Sequence, residues 1–267
     1  WLVAGCVKED FSDCPTGSYL IKFEYVNHTD TEHSNRFYMD VYRVDLYIFD
    51  STGHFVKCIT NSGTPFNEDF YIKPELSEGS YTLVAWGNLS DEVMVKPAFV
   101  SGKTTLEEGL LSLKTITNQS VNKKLTPVFH AIKEITVDDS IDKTDILSFT
   151  KNENQLRLTV KWFEESGIPC IHGSADGVRI RVVDPKGATY KFDNSIVASG
   201  NELIYYPYQT VGNDKHNELT GSFSLMRLIE GEEQTLLVER PMEDGSVREL
   251  YRCNLVNLIQ EHPYTRA

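Results

Sequence analysis

Hydrophobic and polar residues alternate with a period of two over several short segments of this chain, most clearly in residues 19–25, 42–48, 156–162 and 178–182. A strand places successive side chains on opposite faces of a sheet, so this alternation is typical of strands with one buried face and one face in water. Further strands are predicted for residues 54–59, 81–86, 202–206, 222–228 and 235–239. Short strands at this spacing, separated by turns with Gly and Asn, predict an all-β protein built from β-sandwiches.

A turn and two helical segments interrupt the strand pattern. The turn at residues 50–53 ends in Gly53 and predicts a β-hairpin, because glycine readily adopts the positive φ that such turns require. Residues 106–113 predict a short helix, although Gly109 lies within it. Apolar positions in residues 255–259 recur with a helical period and predict a helix near the end of the chain.

The length of 267 residues predicts two domains, because it exceeds the usual size of one. An acidic stretch at residues 137–144, with Asp138, Asp139 and Asp142, interrupts the apolar pattern and is the candidate boundary. We therefore expect a signal remnant and tether in residues 1–14, a first sandwich in residues 15–145 and a second in residues 146–267.

Composition and charge narrow the class of protein. Hydrophobic residues make up 40% of the chain and aromatic residues 11%, which is enough apolar surface for a folded core. The net charge is −13, and no run of Lys and Arg interrupts the acidic background, so a nucleic-acid partner is not expected. No apolar stretch approaches the roughly 18 residues that span a bilayer.

The first residues match the end of a lipoprotein signal peptide. Val3, Ala4 and Gly5 precede Cys6 and form a lipobox, in which the cysteine thiol receives the diacylglycerol. The alternative is an apolar N-terminal strand with an ordinary cysteine. Because the motif lies at the extreme N-terminus before a polar segment, we expect Cys6 to carry a lipid anchor.

The polar segment after Cys6 carries a second signal. Val7-Lys8-Glu9-Asp10 resembles the Cys-x-Lys-acidic-acidic sequence that directs Bacteroidota-type lipoproteins to the outer face of the outer membrane. The alternative is a solvated, charged tether. The resemblance predicts a protein that is lipid-anchored in the outer membrane and exposed at the cell surface.

The remaining cysteines and the histidines do not predict a catalytic or metal site. Cys14 and Cys58 both fall in the first domain and are a candidate disulfide, whereas Cys170 and Cys253 are as readily two buried thiols. The seven histidines show no ligand spacing and are expected on surfaces or in turns. Since no nucleophile, base and orienting group occur together, we expect no enzyme, no metal and no cofactor.

Aromatic residues leave a binding function open. Trp86 and Trp162 could stack against sugars, but both are in phase with an apolar strand face, which favours the core. Tyr205, Tyr206 and Tyr208, beside Pro207, are predicted on an exposed strand. They make a surface glycan-binding lipoprotein the alternative function.

Several local sequences together resemble the fimbrillin-associated anchor proteins of Bacteroides-type bacteria. In the first half these are Asp13-Cys14-Pro15, the strand at residues 44–50 followed by Gly53, and the strand at residues 79–87. In the second half these are residues 151–154, Phe192-Asp193-Asn194, Tyr205-Tyr206-Pro207 and Arg227-Leu228. The resemblance extends from Cys6 to about Val256.

The resemblance implies both a fold and a function. Such proteins have two tandem transthyretin-like β-sandwich domains, and they attach a fimbrium to the outer membrane as lipid-anchored subunits that regulate its attachment or length. Their expected partners are fimbrillin-type pilus subunits, which are bound by strand addition to an open sheet edge. Family members follow the segment at residues 255–261 with further strands, so we expect the second sandwich to lack a terminal strand; the alternative is a complete helix end.

Overall fold

The computed structural model describes residues 18–26, 34–63, 65–114, 119–138, 141–162, 177–198, 200–213 and 217–261. Strands dominate these residues, and their α-helices are short. The prediction of an all-β protein is therefore confirmed.

The strands follow one another through both halves of the chain. The first ten are β1 (Tyr19–Glu24), β2 (Arg43–Asp50), β3 (Phe55–Ser62), β4 (Gly79–Gly87), β5 (Val93–Lys96), β6 (Leu110–Leu113), β7 (Ser120–Val121), β8 (Phe129–Val137), β9 (Lys143–Ser148) and β10 (Thr150–Lys151). The others are β11 (Glu153–Lys161), β12 (Arg179–Asp184), β13 (Thr189–Lys191), β14 (Ile196–Val197), β15 (Leu203–Tyr205), β16 (Gln209–Asn213), β17 (Glu218–Met226), β18 (Thr235–Pro241) and β19 (Val247–Asn254). The helical elements are α1 (Phe37–Asp40), α2 (Leu255–Glu261) and a 3₁₀ turn (Leu106–Glu108).

The predicted hairpin is confirmed as β2 and β3, which pair antiparallel. Gly53 adopts a φ of 81° in the connecting turn. A carboxylate oxygen of Asp50 accepts hydrogen bonds from the backbone N–H groups of Thr52 at 2.9 Å and His54 at 3.0 Å. The side chain of Asp50 thereby stabilises a turn in which glycine supplies the left-handed backbone.

The hairpin belongs to an antiparallel sheet with the order β10-β8-β4-β2-β3. One face of this sheet packs against a two-stranded parallel sheet of β1 and β9. Ile21 and Phe23 of β1 contact a core that includes Leu46 of β2 and Leu83 of β4. Phe37 of α1 stacks on Phe23 with the ring centroids 5.5 Å apart. This core is built from residues between Tyr19 and Phe149.

Part of the opposite face of this sheet is also buried, so the expectation of a solvent-exposed face on residues 42–48 is wrong at Asp45. Asp45 is buried and accepts hydrogen bonds from Arg43 and Thr60. Phe49 and Trp86 face a second core, which also contains Phe192 of the second half. The ring centroids of Trp86 and Phe192 are 5.9 Å apart.

Strands from both halves of the chain form common sheets. The helix predicted for residues 106–113 is wrong beyond its first turn, because residues 110–113 form β6, which pairs with β13 in a sheet of the order β14-β13-β6-β5. β7 likewise pairs in parallel with β15. Residues 110–113 thus pair with a strand that is distant in the sequence and do not form the predicted helix.

These pairings bear on the division into two domains. The boundary predicted after residue 145 falls within β9, which pairs with β1 of the first core. The division into residues 1–14, 15–145 and 146–267 remains a prediction.

Two further sheets, whose strands come from the second half except for β7, face each other. Their orders are β11-β17-β16 and β19-β18-β12-β15-β7. Leu156 and Phe223 of the first sheet share a core with Val182, Leu236 and Val238 of the second. The helix predicted near residues 255–259 is confirmed as α2, and Leu255 of this helix is buried in the same core.

Truncation of Phe192 is expected to destabilise the whole chain, because its ring fills the space between the two halves. Phe192→Ala should lower the free energy of unfolding by about 3–5 kcal/mol, the usual cost of removing a buried aromatic ring. The exposed Tyr71 is a control, and Tyr71→Ala should cost less than about 0.5 kcal/mol. Urea titrations followed by circular dichroism measure both values; equal costs would contradict this packing.

Candidate functional site: a groove between β11 and β19

The residues predicted to carry covalent chemistry lie mostly outside the described part. Cys6, proposed for the lipid, and Cys14, proposed for a disulfide, are both outside the described residues. Cys58 is exposed on β3, and it forms no disulfide with another cysteine of the described residues. The lipid site and the Cys14–Cys58 pair therefore remain predictions.

In the ranges that the structure describes, no helix is long and apolar enough to cross a membrane, and no group of three His, Cys, Asp or Glu side chains could hold a metal ion. His130 corrects the expectation that every histidine lies on the surface or in a turn. It is buried, and its Nε2 donates to the carbonyl oxygen of Phe192 at 2.8 Å.

The aromatic residues that suggested glycan binding lie in different environments, because some of them are buried and others are exposed. Tyr205 is buried, and its hydroxyl oxygen accepts a hydrogen bond from the backbone N–H of Met226 at 3.3 Å, so the expectation that it is exposed is wrong. Tyr206 is 38% exposed, whereas Trp86 is fully buried. The assignment of Trp86 to the core is therefore confirmed, and the tyrosines do not form one exposed aromatic surface.

An apolar groove opens between the two sheets of the second half, at the edge formed by β11 and β19. Its volume is about 600 Å³. Side chains from the end of β11, from β18, from the edge strand β19 and from α2 line it, and they include Leu158, Val160, Trp162, Val238, Leu250 and Leu258. A groove of this composition favours an apolar occupant.

Towards this edge, the apolar side chains of the core become progressively more exposed to solvent. On β11, Leu156 is buried, but Leu158 and Val160, which face the same way, are only half-buried. On β19, the register with β18 shifts at Leu250, and this bulge residue lines the groove while it is 44% exposed. Tyr251 beside it is 50% exposed. The sandwich is therefore closed at one end and open at the other.

Two cationic residues line this groove: Lys161 of β11, whose Nζ lies 3.3 Å from a carboxylate oxygen of Glu218, and Arg240 of β18. The Nε of Arg240 is buried without a hydrogen-bond partner among the described residues. A buried N–H group without a partner costs about 1–3 kcal/mol, which an acceptor placed in the groove would offset. The groove can therefore discriminate between an occupant that carries an oxygen acceptor and one that does not.

Sequence reasoning did not find this groove. β19 was not predicted, because its residues are mostly exposed and charged side chains interrupt their apolar pattern. The alternation in residues 156–162 predicts a strand, but it does not show that the inward face lacks cover at one end. The only signal in the sequence was the expectation of an incomplete second sandwich, which located no groove.

The sheets and the groove define a class of β-sandwich protein whose candidate site is a sheet edge suited to binding. The chain belongs to the family of fimbrillin-A associated anchor proteins Mfa1 and Mfa2, whose family model matches residues 11–266. This confirms the family resemblance inferred from the sequence, and it places the chain in a family of fimbrial anchor proteins rather than of enzymes.

Individual relatives agree with this assignment. The chain is 24% identical to the minor fimbrium anchoring subunit Mfa2 of Porphyromonas gingivalis over 99% of this chain and 78% of that protein. The solved structure of the fimbrial anchor protein Mfa2 from Porphyromonas gingivalis matches with a TM-score of 0.74 and 21% identity, over 94% of this chain and 86% of that one. A protein from Bacteroides ovatus described as an adhesin matches with a TM-score of 0.79 and 21% identity, over 96% and 83%.

The buried His130 predicts a loss of stability in mild acid. Burial lowers its pKa from the ordinary 6.5 to about 4, so the unfolded chain takes up a proton between these pH values that the native chain does not. The stability that neutral His130 contributes is complete above pH 6.5 and is lost as the pH falls towards 4, by up to about 3 kcal/mol. His130→Gln should flatten this loss, which urea titrations at several pH values measure; equal slopes would exclude His130 as the cause.

Proposed function

We propose that this protein is a lipid-anchored outer-membrane subunit that attaches a fimbrium to the cell surface and regulates its length. The family match over residues 11–266 is the observation that carries the proposal. The lipobox that ends in Cys6 supports the anchor, and the acidic segment that follows supports exposure at the cell surface. Each methylene of the acyl chains contributes about 0.8 kcal/mol to membrane binding, so several chains on one cysteine hold a protein stably.

Two tandem transthyretin-like sandwiches and binding of fimbrillin subunits by strand addition belong to the same proposal. Strand addition needs a sheet edge with free backbone donors and acceptors. In the described part of the chain, β11 and β19 each pair with a strand on one side only. These two edges support a role in subunit assembly.

Surface glycan binding is the less supported alternative. A protein from Bacteroides thetaiotaomicron described as polysaccharide-binding matches with a TM-score of 0.76 and 19% identity, over 91% of this chain and 82% of that one. This similarity concerns the fold. Because Tyr205 is buried, only part of the tyrosine cluster that suggested sugar binding is available to a ligand.

Removal of the lipid attachment site tests the anchor. Cys6→Ala in the full-length precursor should release the protein from the outer membrane, because no acyl chain can then be attached. Cys58→Ala removes a thiol outside the lipobox and should leave the protein with the membrane. Fractionation of cells and immunoblotting measure both; a Cys6→Ala protein that stays in the outer membrane would show that the anchor is not at this residue.

The proposed partner is tested in intact cells. After chemical cross-linking at the cell surface, the protein should be recovered together with a fimbrillin, identified by mass spectrometry. Cells that lack the fimbrillin gene are the control, and they should lose the cross-linked band. Fimbriae that remain attached in normal number and length when the anchor gene is deleted would contradict the proposed function.

A further inference from the structure

We propose that the groove between β11 and β19 binds a fatty acid, with its carboxylate at Arg240 and its single alkyl chain between the two sheets. The inference concerns a small ligand and does not rest on the proposed fimbrial function. Three features of the groove carry it: its apolar lining, the change from a buried end to an open end, and the unpaired cation at the open end.

The groove has the size and the lining of a site for one alkyl chain. Its volume of about 600 Å³ lies within the range of about 300–1,000 Å³ that is usual for small-ligand sites. From Leu158 to Trp162, β11 borders the groove over about 13 Å, at about 3.3 Å per residue. An extended chain of about ten carbons, with bonds of about 1.5 Å, has the same length. Such a chain needs no hydrogen-bond partner, whereas most hydroxyl groups of a sugar would stay unpaired against this lining.

One end of the groove is buried and the other is open. Along β18, Leu236 and Val238 line the groove and are buried, whereas Arg240, the next residue on this face, is only half-buried. Leu250 and Tyr251 of β19 line the groove and are exposed. The groove therefore runs from an apolar end inside the core to a charged end near solvent. An amphiphile with its tail inward and its charged head outward matches this arrangement.

Two cations at the open end have no counter-ion. Arg240 lies directly opposite Arg248 in the ladder of β18 and β19, so both side chains extend from the same face. Among the described residues, neither forms an ion pair, and the buried Nε of Arg240 has no hydrogen-bond partner. The neighbouring carboxylates are already paired, Glu239 with Arg181 and Glu249 with Arg252. A carboxylate matches the planar guanidinium of Arg240 and can accept two hydrogen bonds from it.

The charge of the head favours a free fatty acid over an esterified acyl chain. An acyl chain of a membrane lipid has the same tail, but its ester group carries no charge. Like charges directly opposite each other destabilise a sheet, and an ester would leave Arg240 and Arg248 in that state. A free carboxylate offsets this repulsion and also pairs the buried Nε. The ligand is therefore assigned as an alkyl carboxylate.

Calorimetric titration of the purified protein tests the apolar part of the site. The probes are hexanoate, octanoate, decanoate and tetradecanoate, each below its micelle concentration. Up to decanoate, the affinity should rise by up to about 15-fold for each two methylene groups, because each enters the apolar groove. Tetradecanoate is longer than the groove and should gain little over decanoate. The same affinity for hexanoate and decanoate, or an undiminished gain from decanoate to tetradecanoate, would overturn the proposal.

Neutral ligands and a charge variant test the role of Arg240. Methyl decanoate, which represents an esterified chain, and 1-decanol should each bind about ten-fold more weakly than decanoate. Arg240→Gln should abolish this difference. Arg157→Gln is the matched control, because it removes an exposed cation of β11 that does not line the groove, and it should preserve the difference. Equal affinities of the unmodified protein for decanoate and methyl decanoate would refute recognition of the carboxylate.

A matched pair of variants on β19 assigns the binding to this groove. Leu250 lines the groove and Val247 does not, although both side chains are exposed, so neither substitution is expected to unfold the protein. Leu250→Glu places a fixed carboxylate at the open end and should weaken decanoate binding at least about ten-fold by repulsion and by loss of apolar contact. Val247→Glu should leave the affinity unchanged. Binding that is unaffected in Leu250→Glu would place the site elsewhere and refute the proposal.

Photolabelling of the unmodified chain gives a result that does not depend on a variant. Decanoate with a diazirine on its last carbon should label peptides that contain Leu236 or Val238, and excess decanoate should prevent the labelling; mass spectrometry identifies the peptides. Labelling confined to exposed residues outside the groove would contradict the proposed orientation. A protein that binds no probe and elutes at the size of two copies would show that a second copy fills the groove, which also overturns the proposal.

Discussion

The structure depends on a central sheet that is buried on one face and on part of the other. The sheet β10-β8-β4-β2-β3 packs against β1 and β9 on one face and against residues of the second half on the other. Phe192 fills the second interface, and it approaches so closely that a Cβ on Gly109 would lie 2.6 Å from its ring. Glycine is therefore required there, and the two halves of the chain share one close-packed interior.

The polar groups that are buried between the two halves of the chain form hydrogen bonds with one another. Asn152 donates to the side-chain oxygen of Asn194 at 2.6 Å, and the reciprocal bond is 3.1 Å. The hydroxyl of Ser224 donates to Glu153 at 2.5 Å. A buried polar group is costly unless it is paired, so these bonds fix how the strands around β10 and β11 meet. Residues 152–153 thus close this interior and also begin β11, the strand whose C-terminal end borders the groove.

Closure at one end and exposure at the other give β11 two different environments. Leu156 is buried with the shared core, while Leu158 and Val160 face an open edge. A strand that is anchored by packing at one end can hold its other end in register for a partner without a loop to define the site.

The sequence by itself determined the all-β class, the hairpin around Gly53, most of the alternating strands, the helix near residue 255 and the family. These features depend on local periodicity, turn chemistry and short motifs, which neighbouring residues carry. Only the tertiary structure decided that β6 pairs with β13, that Asp45 and His130 are buried, and that the end of β11 borders a groove. Alternation shows that a strand has two faces, but partners distant in the chain decide what covers each face.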